Sequence, residues 1–277
     1  MLETQEPTVD NGATYEAGSF WEARLAAQFD LAGVGFRRIG KPFNRALYRQ
    51  REIVFDRVVK HLPIEPASAD VVELGPGTGF YVELWERRGV RSLTGLDITQ
   101  VATDELTKRF PAYAFRSADI TERWPLADAS ADVITAFDVL FHIVDDARYE
   151  AAIAEAARVA RPGAALLISD LFPHRARFGG FHQVSRTLDE VTGLLDGAGF
   201  DLVRRVPVFV TMHPAFDAPG PLIGLATRWW SWVEATLVAN PKRGWRLGQL
   251  LGTIDRVLTR VMPRGGPSTE ILVARRR

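Results

Sequence analysis

The chain has 277 residues, 47% hydrophobic and 25% charged, enough to bury a sizeable core as one large domain or as a domain with a cap. Lys+Arg and Asp+Glu count 34 each, so no global field points to nucleic acid, and the absence of cysteine excludes disulfides and thiolate metal sites. No basic segment followed by an apolar run opens the chain and no apolar stretch is long enough to span a bilayer, so the expectation is a cytoplasmic protein without a secretory signal.

Residues 1–12 hold Glu3, Glu6 and Asp10 with little apolar content and read as a frayed tail. From 13 to 65 the pattern is helical. Phe20, Trp21, Leu25 and Phe29 share one face, broken by Gly33 and Gly35; Leu47, Ile53, Val54, Val58 and Leu62 share another over Pro42–His61. Taken alone, this segment reads as a packing layer on a sheet. Asp70–Tyr81 then reads as a buried parallel strand (Val71, Val72, Leu74), a turn with glycine at 75, 77 and 79, and the start of a helix that Gly89 ends. Glycines let the backbone turn sharply and approach a ligand, and free amides with the helix dipole make such a turn a nucleotide site. The dinucleotide pattern G-x-G-x-x-G would need glycine where Phe80 stands. Glu73, two residues before the first glycine, would repel a pyrophosphate but suits an ammonium or sulfonium.

Ser92–Asp97 reads as the second strand. Asp97 lies 18 positions beyond Gly79, where an acid at the next strand tip can accept ribose hydroxyls; its plainer reading is a loop acid or helix cap. Tyr113–Arg116 is a third strand, followed by Asp119 and a weak helix around Glu122. Strand four, Val133–Asp138, leads to His142, and residues just past strand ends line the crevice of an open α/β sheet. Asp145 or Asp146 opens an amphipathic helix that Pro162 and Gly163 end, and Ala165–Asp170 is strand five. Leu171–His182, rich in aromatics and bases, reads as a wall of a substrate pocket. Thr187 caps a further helix and strand six runs Leu202–Met212. Residues 213–266 form an insertion with a Trp-rich helix (Leu222–Val238) and a helix bearing Leu247, Leu250, Leu251, Ile254, Leu258 and Val261 on one stripe, with Lys242, Arg243, Arg246, Arg256, Arg260 and Arg264 between and along them. It reads as a cap, a dimer surface, an interfacial membrane contact, or core with a solvated charged face. Residues 267–277 carry the last strand.

Glu73-Leu74-Gly75-Pro76-Gly77-Thr78-Gly79 closely resembles motif I of the class I S-adenosylmethionine-dependent methyltransferases. Trp124–Ile134 resembles that family's loop into strand four, and ARPGAALLISD (160–170) its post-motif signature, so the resemblance covers residues 66–212 plus the last strand. It implies an α/β, Rossmann-like sheet of seven mostly parallel strands, order 3-2-1-4-5-7-6 with strand seven antiparallel, and helices on both faces. It also implies S-adenosylmethionine as cofactor and S-adenosylhomocysteine as product, and offers a lid over the active site as the alternative role for the helices of 13–65. By position Glu73, Gly75, Gly77, Gly79, Asp97, Ile98, Asp119, Ile120 and Phe137 would hold the cofactor, with Asp119 receiving the adenine amino group. Asp138, Arg177, Phe181 and Arg186 would meet a small-molecule acceptor. A hydroxyl acceptor needs its proton removed, and His142, then His182, are the candidate bases; His174 and His213 rank behind them. No metal-ligand spacing appears. Three readings stay open: O-methylation of a sugar or natural-product-like acceptor, methylation of a lipid or isoprenoid or at N or C, and cofactor binding without methyl transfer. No nucleic-acid partner is expected, and a homodimer is left open.

Overall fold

From residue 70 onward, short aliphatic and β-branched runs alternate with helical stretches, and the chain turns that alternation into a sheet covered on both faces. The computed structural model describes residues 15–35, 37–217, 220–262 and 265–277; the tail expected at 1–12, and Arg264, lie outside the described residues. Ahead of the sheet come α1 (Ala17–Ala27), α2 (Leu31–Val34) and α3 (Gly40–Val59). There follow β1 (Asp70–Leu74), α4 (Phe80–Arg88), β2 (Ser92–Asp97), α5 (Gln100–Arg109), β3 (Ala114–Ser117), β4 (Ala131–Phe137), α6 (Asp146–Val159) and β5 (Ala160–Asp170). A hairpin of β6 (Phe178–Gly180) and β7 (Gln183–Ser185) precedes α7 (Leu188–Gly197) and β8 (Phe200–Pro207). Then come α8 (Gly220–Ala239), α9 (Gly244–Val261) and β9 (Glu270–Arg276).

The main sheet has the order β3-β2-β1-β4-β5-β9-β8, with β9 antiparallel to both neighbours. β8 and β9 are its sixth and seventh strands, so the order is the one implied by the resemblance. The β6/β7 hairpin stands apart as its own two-stranded sheet, in a stretch expected to be an irregular loop. Period-two alternation sends Val71 toward α3 and α4, and Val72 and Leu74 toward α6 and α7.

Three boundaries differ from the sequence expectation. The first helix ends at Ala27, and Gly33 lies inside α2 rather than breaking a longer helix. No helix forms around Glu122, because Asp119 Oδ1 accepts the amide and hydroxyl of Thr121 and holds a tight turn. Strand six stops at Pro207: beyond it the amides of Val210, Thr211 and Met212 donate to the buried carboxylate of Asp255 on α9, not to a neighbouring strand.

Around this frame, α1 is docked by Glu22, whose carboxylate accepts the first amides of α5 at Gln100 and Val101. α9 lies against α3 through small residues. A Cβ at Gly248 would stand 2.3 Å from the Ala46 Cβ, so only glycine lets the helices approach this closely. Gly248→Val should therefore cost about 1–3 kcal/mol by forcing the helices apart. Denaturant titration reads it out, and an unchanged unfolding midpoint would mean the contact is soft.

Candidate active site

Parallel strands of matched register bring the carboxyl ends of β1, β2, β4 and β5 to one edge of the sheet, and the loops leaving them enclose a cavity of about 1040 Å³. The turn after β1 supplies its floor. Gly75, Gly77 and Gly79 have φ of 58°, 52° and 80°, a region closed to most side chains. A Cβ at Gly75 would lie 2.4 Å from Val139 Cγ2, whereas at Gly77 its nearest neighbours, Gly75 O and Val34 Cγ1, would be 3.9 Å away, so the Gly77 backbone lines the cavity uncrowded. Gly79 does not line the cavity. It caps α4 and packs toward Leu106 and Phe110, a helix-starting role in place of the expected cofactor contact.

Asp97, at the tip of β2, is 5% exposed and lines the cavity. Oδ2 accepts the Gly77 amide at 3.0 Å, and Oδ1 accepts the Thr99 amide and hydroxyl at 2.9 and 2.7 Å. Burial raises its pKa, and those hydrogen bonds oppose the rise. Asp119 stands past β3 with Arg148 on Oδ2, and Ile98, Ile120 and Phe137 complete this end of the cavity. Glu73, expected to face the ligand, is not among the residues lining the cavity. Alternation points its side chain to the α4 face, where it is 1% exposed and accepts the hydroxyl of Thr135, its register partner on β4. Burial pushes its carboxyl up to about 8, so it is neutral at pH 7.

Past β4, Asp138 adopts φ 57° and holds Ser169 twice, through its amide and its Oδ1. Its other oxygen pairs with Arg51 of α3, a residue that gave no signal in the sequence. Burial works against the Arg51 charge, but Asp138, with the Tyr81 and Tyr48 oxygens, outweighs it and holds the guanidinium pKa above its ordinary value. His142 and His182 are brought together, their rings stacked 5.5 Å apart, with Phe20 of α1 on the far side of His182 and Trp21 edge-on to His142. His142 Nδ1 lies 2.9 Å from the His182 carbonyl oxygen. A carbonyl only accepts, so Nδ1 carries the proton and Nε2 keeps its lone pair. Burial pushes the His142 pKa down to about 3.

The adjoining rings of Phe178, His213, Phe216 and Trp230 also line the cavity, the last from α8, so the insertion supplies a wall. Asp170, at the tip of β5, is a site residue that the sequence reading passed over. Oδ1 accepts the Ser185 hydroxyl and the Leu171 amide, while Oδ2 is buried with no hydrogen-bond partner among the described residues. Burial pushes its carboxyl up to about 7. Asp170 ends an apolar strand just as Asp97 does, so the same rule would have found it.

Three expected acceptor contacts lie outside the cavity. Arg177 pairs with Asp146 and Glu190. Arg186 is 2% exposed, stacked over Tyr149 and bonded to Asp146. Both brace the start of α6 against the hairpin, so their charges are already matched. Phe181 turns outward at the hairpin tip against Tyr15. His174 is bonded to Asp217 away from the cavity, and buried His213 lies 2.7 Å from the Ser268 hydroxyl.

Residues 72–168 match the methyltransferase domain family. A protein of Mycolicibacterium smegmatis, described as an S-adenosylmethionine-dependent methyltransferase, is 32% identical over 170 residues, 58% of this chain and 62% of that one. The chain thus spans less than two thirds of that relative's length. An O-methyltransferase of Penicillium expansum is 26% identical, with 76% of this chain and 82% of the relative covered. Among solved structures, a Burkholderia thailandensis 1,6-didemethyltoxoflavin-N1-methyltransferase holding S-adenosylhomocysteine superposes with a TM-score of 0.51, covering 97% of this chain and 93% of that one at 17% identity. That likeness is one of fold.

Neutral, buried Glu73 makes a pH test. In the unfolded chain it ionises above about 4.5, but in the fold only near 8, so unfolding releases a proton between those values and stability falls as pH rises through them. Glu73→Gln should flatten that part of the profile and be the more stable protein at pH 8. Parallel thermal-melt profiles for the two proteins would count against a buried neutral carboxyl.

Proposed function

We propose that the chain acts as a class I S-adenosylmethionine-dependent methyltransferase and transfers the cofactor's methyl group to a hydroxyl of a small sugar-like or natural-product-like acceptor in the cytoplasm. The observation that carries this reading is a single cavity joining the glycine turn and the Asp97 and Asp119 carboxylates to the stacked pair His142 and His182. The residues fit the cofactor. The uncrowded Gly77 backbone admits close approach, Asp97 has lone pairs left for ribose hydroxyls, and Asp119 can receive the adenine amino group between Ile98 and Ile120. When bound, S-adenosylmethionine supplies an electrophilic methyl on a sulfonium.

The protein's part is then to position and to accept a proton. Holding the acceptor in line is worth roughly 7–11 kcal/mol in well-oriented systems. The ring of His142, neutral down to about pH 3, offers Nε2 as a hydrogen-bond acceptor. His182, stacked between His142 and Phe20, takes the hydroxyl proton in this reading. Asp170 Oδ2, buried and without a hydrogen-bond partner among the described residues, orients a second polar group of the acceptor from the cavity wall. A lipid or isoprenoid acceptor is the second reading, favoured by the aromatic side chains of Phe178, Phe216 and Trp230 in the cavity lining.

Incubation with S-adenosylmethionine and a panel of hydroxylated acceptors should release S-adenosylhomocysteine. Binding by calorimetry without release on any acceptor would defeat the transferase reading. Asp97→Ala should weaken cofactor binding by about 1–3 kcal/mol through lost charge-assisted hydrogen bonds, and unchanged affinity would remove Asp97 from the site. His182→Ala should lower turnover by roughly 10²–10⁴-fold, and His142→Ala by less, with cofactor affinity kept in both; wild-type rates would clear both of proton transfer.

A further inference from the structure

The helix with the sharpest division between polar and apolar faces in this protein packs the unexpected way round. α9 turns Gly244, Gly248, Leu251, Asp255 and Thr259 inward, with Leu247 half-buried against the core. Leu250, Ile254, Val257 and Val261, spaced by three and four positions, point outward at 60, 39, 59 and 67% exposure. The helix cannot roll to hide this stripe. Gly248 is in contact distance of Ala46, and Asp255 accepts the amides of Val210 and Thr211. α8 meets the same segment, since Trp229 Nε1 donates to the Thr211 carbonyl. It too presents apolar residues outward: Leu222, Leu225, and Trp229 and Trp232 with rings 5.2 Å apart.

The charges around these stripes have one sign. Residues 220–262 contain six bases, Arg228, Lys242, Arg243, Arg246, Arg256 and Arg260, against two acids. Both acids are taken up inside: Asp255 is fully buried, and Glu234 lines the cavity with Arg38 as its partner. Beside the α9 stripe, Arg57, Lys60, Arg88, Arg256 and Arg260 line a recess of about 410 Å³ in which Asp56, paired with Arg88, is the acidic residue. Burial and the neighbouring Arg260 and Arg204 charges lower the Arg57 pKa, the mark of cations crowded without enough anions.

We propose that the outer faces of α8 and α9 form a docking surface for an anionic lipid bilayer, with the apolar stripes and the tryptophan pair entering the interface and the bases meeting lipid phosphates. Charge selects this occupant. A second copy across a twofold axis would set this cationic surface against itself, whereas an anionic bilayer matches it. The contact is peripheral: among the described residues no helix is long and apolar enough to cross a membrane. The outward side chains do not line the cavity, so this inference stands independently of the acceptor assigned above. α8 nevertheless shares its faces between the two, with Trp230 on the cavity and Trp229 and Trp232 on the outside.

Flotation of the full chain with phosphatidylcholine vesicles, with and without phosphatidylglycerol, tests this. The protein should float with the anionic vesicles and not with the neutral ones. Leu250→Ser with Val257→Ser, and separately Arg246→Gln with Arg260→Gln, should each reduce the floated amount roughly tenfold or more. These side chains are exposed, so the melting temperature and S-adenosylmethionine binding should not move. Wild-type protein left at the bottom with anionic vesicles, or variants that float as well as wild type, would overturn the proposal. So would a wild-type dimer that Leu250→Ser with Val257→Ser converts to monomer, since that assigns the face to a second copy.

Discussion

The site is held in shape by a carboxylate whose first obligations are to its own backbone. Asp97 ties the Gly77 amide to the tip of β2, and the Gly75 amide donates to the Leu96 carbonyl at 2.8 Å, extending the β1–β2 ladder into the turn. Two bonds from one strand end thus fix a turn whose glycines would otherwise be the freest residues in the chain. On the other side of β1, Arg51 of α3 closes on Asp138 in the same way. The pair is half-buried, and Asp138 also holds Ser169, so one carboxylate joins α3, β4 and β5 at the cavity. The cavity therefore has a preset floor, and α1 and α8 form walls on it.

Much of this was legible before any coordinates. Aliphatic runs marked the strands, the acids at strand tips marked Asp97 and Asp119, and the order of the sheet followed from the resemblance. What failed has physical causes. Val71, Val72 and Leu74 are all apolar, as in any strand buried on both sides, so the alternation that turns Glu73 away from the ligand is masked; only its pairing with Thr135 reveals it. Arg177 and Arg186 looked like ligand contacts because their partner, Asp146, lies on a different element 31 and 40 positions away. Arg51 is silent for the same reason, its partner arriving from β4. The hairpin carries Gly179 and Gly180, which show no strand periodicity at all.

α9 shows a different kind of blindness. Its periodicity was plain, and a stripe of Leu, Ile and Val at helical spacing reads as core. The structure splits it: Leu251 and half-buried Leu247 pack inward beside glycines, a threonine and a buried aspartate, while Leu250, Ile254 and Val261 face outward. Periodicity gives the stripe; it does not say which way the stripe faces when a close helix neighbour demands small residues.

The antiparallel strand β9 sits between β5 and β8, yet in sequence it follows both, with α8 and α9 intervening after Pro207. On the ribosome, β8 therefore has no neighbour to join until the whole insertion has been translated, a wait of several seconds at about 5–20 residues per second. Until then β5 too lacks the partner that closes its outer edge, the kind of edge that invites pairing with another chain. Vectorial synthesis thus leaves this fold a window of exposure that a seven-stranded relative without the insertion would pass through much sooner.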